Sequence, residues 1–145
     1  MEEEKQVLKR TDLFKDLEPV ELEKISAIMQ LTRVHEGEIL TDRKQPAYFF
    51  YVVISGNFML AFEEDRAFTV HEEGECLGWA TLAASSNYTA TTVALSDGEV
   101  LCMSGQDFLE LIQINSAIGD KLMAKSCKLL EKRLPFTKIS ETNNS

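Results

Sequence analysis

Apolar residues recur along this chain with two different periods, and the period changes twice. Residues from Glu2 to about Arg10 read as a short charged helix or lead-in, and Leu13, Phe14 and Leu17 make one apolar face of a helical turn after it. Pro19 suits the first turn of a helix, where the amide hydrogen it lacks would have no intrahelical partner. Val20, Leu22, Ile25, Ile28 and Met29 then repeat at helical intervals, which predicts a helix ending near Gln30.

From Leu31 the period becomes two. Leu31 to Val34 and Glu38 to Thr41 read as short strands around the Glu36-Gly37 turn. Tyr48 to Ile54 is an unbroken aromatic and β-branched run, the pattern of a strand covered on both faces. Phe58, Leu60 and Phe62 alternate with Met59, Ala61 and Glu63, and Phe68 with Val70 continues that alternation. A strand ending at Leu77, another from Thr89 to Leu95 and a last one from Glu99 to Met103 complete the set. About eight short strands at intervals of about 8–12 residues predict a small antiparallel barrel or jelly roll.

The helical period then returns. Ser104-Gly105-Gln106-Asp107 resembles a capping box before Phe108–Ile112, and Asn115 or Ser116 can cap a final helix running to about Arg133. On that helix Met123, Cys127, Leu130 and Leu134 are spaced 4, 3, 4, as at a coiled-coil seam, which predicts a homodimer through it or packing on the roll. Lys121, Lys125, Lys128 and Lys132 share the spacing two residues earlier and fall on the opposite side, as a solvated face or a surface for an acidic partner. The expected fold is mainly β: an eight-stranded antiparallel jelly roll (double-stranded β-helix) with an N-terminal helix and two C-terminal helices. Residues 1–134 form the domain and 135–145 a flexible polar tail.

Charge narrows the function classes. Fifteen basic against 24 acidic residues give a net charge of −9, which works against a nucleic-acid surface. No apolar run is long enough to span a membrane, and Met1-Glu2-Glu3-Glu4-Lys5 lacks an apolar signal region, so a cytoplasmic location and no membrane partner are expected. Cys76, Cys102 and Cys127 are far apart and odd in number, which points to reduced thiols. His35 and His71 lack metal-ligand spacing, and no serine lies in a nucleophile motif. Neither a catalytic nor a metal site is expected.

The candidate chemistry lies in Gly74-Glu75-Cys76-Leu77-Gly78-Trp79-Ala80-Thr81-Leu82 and the following Tyr88-Thr89-Ala90. A strand that turns at Gly78 into one helical turn leaves backbone N–H groups unpaired and pointing one way, a place that suits an anion. The candidate ligand-binding residues are therefore Gly78, Trp79, Ala80, Thr81, Leu82, Tyr88, Thr89 and Ala90.

This stretch resembles the phosphate-binding cassette of the cyclic nucleotide-binding domain, the sensor module of the catabolite-activator proteins. Leu13-Phe14-Lys15-Asp16-Leu17, Gly37-Glu38-Ile39-Leu40, Tyr51–Gly56, Gly74-Glu75 and Leu77-Gly78 fall in the family's order over roughly Leu13 to Leu130. The resemblance implies a regulatory domain that signals through its C-terminal helices, and family members often pair through the last of them. It also marks departures. Trp79 stands where the family carries a glutamate for the ribose hydroxyl, and Tyr88 where it carries an arginine for the cyclic phosphate. A neutral phenol replaces a charged fork, and charge-assisted bonds contribute about 1.5–3 kcal/mol. Phosphate binding should weaken at least about tenfold. Cyclic AMP or cyclic GMP is thus disfavoured as a ligand, and no other cofactor is implied.

Two readings remain. The first is a non-enzymatic sensor that binds a small, anionic ligand. The second is a ligand-free protein-interaction or dimerisation module whose pocket Trp79 fills, since a large aromatic gains most by burial. Tyr88 serves a ligand in the first and Trp79 or the backbone in the second. About a dozen residues follow Arg133, too few for a helix-turn-helix module.

Overall fold

The computed structural model describes residues 2–63, 66–78, 81 and 87–131. Two helices open the chain, α1 (Glu2–Lys9) and α2 (Pro19–Ala27). Eight strands follow: β1 (Met29–Val34), β2 (Ile39–Thr41), β3 (Phe49–Ser55), β4 (Phe58–Ala61), β5 (Ala67–Val70), β6 (Cys76–Leu77), β7 (Thr91–Ala94) and β8 (Gly98–Ser104). Helices α3 (Gly105–Ile114) and α4 (Ser116–Glu131) close the described part. The strands form two four-stranded sheets, ordered β1-β8-β3-β6 and β2-β7-β4-β5. Their pairings are antiparallel. This is the mainly β, eight-stranded jelly roll with flanking helices that the hydrophobic pattern predicts.

Two apolar cores follow from strand alternation. Val53, Phe58, Leu60, Phe62, Val70, Leu77, Ala90, Ala94 and Val100 fill the inside of the roll. Phe50, Val52, Leu101 and Met103 face the other way, where Phe14, Ile25, Phe108, Ile118 and Leu122 of the helical layer cover them. The unbroken apolar run of β3 is explained by this: Phe50 and Val52 serve the helical core, Val53 the roll.

Helix α2 ends at Ala27, short of the expected Gln30. Ile28 already donates its amide to Ile25 as a cap, and Met29 pairs with Met103 of β8. Its start is fixed by Pro19 and by the Glu21 carboxylate, which accepts the Glu18 amide at 2.8 Å. At α3 the Ser104 hydroxyl accepts the Asp107 amide at 3.0 Å, the cap the sequence predicts.

Helix α4 turns Ile118 and Leu122 into the chain's own helical core, with Met123 and Leu129 packed against it. Of the predicted 4, 3, 4 stripe, Met123 therefore packs inward, Cys127 is exposed, and the side chains of Leu130 and Leu134 lie outside the described residues. The lysine face is not simply solvated. Lys121 donates to Glu21 at 2.8 Å and Lys125 to Asp16 at 2.7 Å, so both reach the N-terminal layer. The expected tail, 135–145, lies outside the described residues. No described helix is long and apolar enough to cross a membrane.

Candidate ligand site

Strand β6 is short because Gly78 turns the chain immediately after Leu77. Its φ is +81°, and a Cβ built there would stand 2.7 Å from the Phe49 carbonyl oxygen and 3.3 Å from Tyr88 Cε1. Thr81 closes the turn, its amide donating to the Gly78 carbonyl at 3.1 Å.

Three of the predicted residues meet at one residue of β3, Phe49. The Tyr88 hydroxyl donates to the Phe49 carbonyl at 2.7 Å and accepts the Phe49 amide at 2.9 Å. The Thr81 hydroxyl donates to the same carbonyl at 2.9 Å. Gly78 lies against it. The backbone at Tyr88 is fixed in turn: its amide donates to Gln45, and its carbonyl accepts from Lys44. Tyr88 thus serves the backbone. Its phenol is raised from its usual range mainly by burial, with the bonds to Phe49 and Thr81 acting the other way.

Ala90 is buried and its carbonyl accepts the Thr41 hydroxyl at 2.9 Å, which also meets the Thr92 hydroxyl at 2.8 Å. Thr89 is exposed. Trp79, Ala80 and Leu82 lie outside the described residues.

The phenol of Tyr51 and the thiol of Cys102 are held neutral. Burial first, and then Cys102, Tyr88 and Glu38, push the Tyr51 phenol up. Burial pushes the Cys102 thiol up as well. These acids stay protonated at neutral pH. The carboxylate of Glu38 accepts the His35 amide at 3.0 Å. Inside the roll Phe62 and Phe68 stack with centroids 5.6 Å apart. Among the described residues no group of three or more His, Cys, Asp or Glu is placed to hold a metal ion.

Two contributors escape a reading of the sequence. Phe49 acts through its peptide, which no side-chain motif reveals. Gly105 is the second: its amide donates to the Tyr48 carbonyl at 2.7 Å, and a Cβ there would fall 2.8 Å from Thr81 Cγ2. The turn at Gly78 and the first residue of α3 therefore touch through Thr81. A glycine opening a helix, where Ala would favour it more, is the only signal of that contact in the sequence.

Comparison with known proteins places this geometry. Residues 31–115 match the family model for the cyclic nucleotide-binding domain. An NTE family protein of Mycobacterium tuberculosis is 21% identical over 128 residues, which are 88% of this chain and 22% of that protein. This chain therefore spans about a fifth of the length of that curated relative. Among solved structures, the sensor domain of the transcriptional regulator DNR from Pseudomonas aeruginosa is 27% identical with a TM-score of 0.69, the match covering 90% of this chain and 95% of that one. A cAMP-bound PfPKA-R structure has a TM-score of 0.74 at 20% identity, over 92% of this chain and 46% of that one, a likeness of fold.

Proposed function

The chain belongs to the cyclic nucleotide-binding domain family, and from that membership we propose that it is a non-enzymatic regulatory module that senses a small anionic ligand. The ligand sits between the turn that Gly78 and Thr81 make and the segment Tyr88–Ala90, and its presence shifts α3 and α4. The observation that carries this reading is Thr81. Its hydroxyl is tied to β3 at Phe49, while its methyl group stands 2.8 Å from the place a Cβ of Gly105 would take. A ligand that moves the turn must move against the start of α3. Such a ligand shifts the helices only by as much as it prefers one helix position over the other.

Cyclic AMP and cyclic GMP fit this site poorly. Position 88 offers no guanidinium, and the hydroxyl it does offer is engaged with the Phe49 peptide on both its donor and acceptor sides. The same observation favours the second reading, a ligand-free interaction or dimerisation module with Trp79 in the pocket, because a self-satisfied Tyr88 asks for no ligand. In that reading a partner copy meets the exposed side of α4, where Cys127 lies.

Thermal unfolding with cyclic AMP, cyclic GMP and a panel of small phosphorylated and carboxylated compounds separates the two. A ligand at a hundred times its dissociation constant adds about 2.7 kcal/mol. The sensor reading expects such a shift from at least one anionic compound, with altered amide exchange in α3 and α4, and little from the cyclic nucleotides. No shift from any compound, together with a concentration-dependent dimer in sedimentation, supports the interaction module instead.

A further inference from the structure

We propose that Arg66 supplies the cation for the ligand's oxyanion, the charge that Tyr88 cannot provide. The inference rests on the sensor reading above and names the side chain that gives it chemical selectivity.

Strand register locates Arg66. Phe58 pairs with Val70, Leu60 with Phe68 and Ala61 with Ala67. The ladder runs one step further, the Phe62 amide donating to the Arg66 carbonyl at 2.6 Å. Side chains alternate along a strand, so Arg66 shares the face of Phe68 and Val70, the face turned into the roll. This is also the cassette end of the sheet. Ala61 pairs with Thr91 on the other flank of β4, so the row containing Phe62 and Arg66 lies level with Ala90. Arg66 stands two strands away from that residue, about 10 Å at the usual strand spacing and within reach of a long side chain and a small ligand together.

The Nε of its guanidinium is unmatched among the described residues. Among the described residues Arg66 Nε is buried without a hydrogen-bond partner, and none of their ion pairs includes Arg66. Its neighbours on the inner face, Phe62 across the ladder and Phe68 along the strand, are stacked rings that offer no acceptor. A charged donor held against an apolar wall with an unmade bond is costly, and an incoming oxyanion removes the cost. The fork of a guanidinium fits a phosphate or a carboxylate in two parallel bonds. Of the titratable groups that act on Tyr51, Tyr88 and Cys102 stay neutral, and the carboxylate of Glu38 accepts the His35 amide.

The test follows the Arg66 side-chain Nε–H resonance of the full chain while inorganic phosphate, acetate, cyclic AMP or cyclic GMP is titrated in at constant ionic strength. The resonance is assigned by its loss in Arg66→Gln. The expected result is a saturable shift with at least one probe. Affinity should then fall at least tenfold in Arg66→Gln and less in Arg66→Lys, with the unfolding midpoint of the probe-free variants no lower than that of the parent. A response to phosphate and the cyclic nucleotides without acetate marks a phosphate ester as the natural ligand, and a response to acetate marks a carboxylate. If a probe binds the parent and Arg66→Gln equally well, the role of Arg66 is overturned while the sensor reading stands. If no probe produces a saturable response, this inference falls together with the anionic-ligand reading.

Discussion

A methyl group at position 78 would have to share space with a peptide oxygen. Gly78 has φ +81°, and its missing Cβ lies 2.7 Å from the Phe49 carbonyl. Gly37 offers a control: its φ is +88°, but nothing lies within 4 Å of its Cβ position. Ala at either site bears the left-handed backbone cost of about 1–2 kcal/mol. Only Gly78→Ala must also push β3 away from Tyr88 and Thr81. Gly78→Ala should therefore lower the unfolding midpoint by about twice as much as Gly37→Ala, with the latter losing about 3–8 °C. Equal losses would mean that the turn does not press on Phe49. The glycine itself is legible in the sequence, because two glycines four apart announce a turn. What Tyr88 does is not: its hydroxyl finds the Phe49 peptide only because β3 passes beneath the turn, a fact of tertiary register.

Strands β2 and β7 are joined in the roll by hydroxyls as well as by backbone. Thr41 is 2% exposed and Thr92 1%, and the Thr41 hydroxyl meets both Thr92 and the Ala90 carbonyl. Thr41→Val strands a buried hydroxyl and a buried carbonyl, and should cost about 1–3 kcal/mol. Thr92→Val leaves Thr41 still donating to Ala90 and should cost less. The double variant removes both hydroxyls together, so its loss should fall short of the sum by about 0.5–1.5 kcal/mol in a denaturant double-mutant cycle. Strict additivity would show that the two hydroxyls do not act as a pair. A threonine-rich strand was visible at 89–92, but β propensity accounts for that composition alone, so the pair could not be read from it. The end of α2 was obscured for a similar reason. Met29 satisfies a helical repeat and a strand face equally, and only its pairing with Met103 decides between them.

Across the whole molecule, charge ties the last helix to the first elements. Lys121 and Glu21 are 100 positions apart, and Lys125 and Asp16 are 109 apart, so the lysine stripe was legible while its partners were not. The hydrogen bond from Lys121, followed by the Glu18 amide, holds the Glu21 carboxyl below its usual range. Lys125 does the same first for Asp16, and Arg10 for Glu73. A carboxyl lowered in the folded state releases its proton more readily there than in the unfolded chain. The stability it adds is therefore complete above the ordinary carboxylate value of about 4 and is lost as the pH falls through the lower folded value. Urea midpoints should accordingly hold steady from about pH 7 to 5 and drop steeply below about 4. Replacing both lysines, Lys121→Met with Lys125→Met, returns Glu21 and Asp16 toward ordinary values and should flatten that drop. Since Asp16 is open to solvent and Lys125 partly so, raising the salt should narrow the difference between parent and variant. The helical core of Ile118 and Leu122 is untouched by these substitutions, so α4 should remain folded at neutral pH. An acid profile identical in parent and variant would mean that α4 is held by that apolar seam alone. In that case α4 would be loosened by strain on that seam, and not by a change in charge.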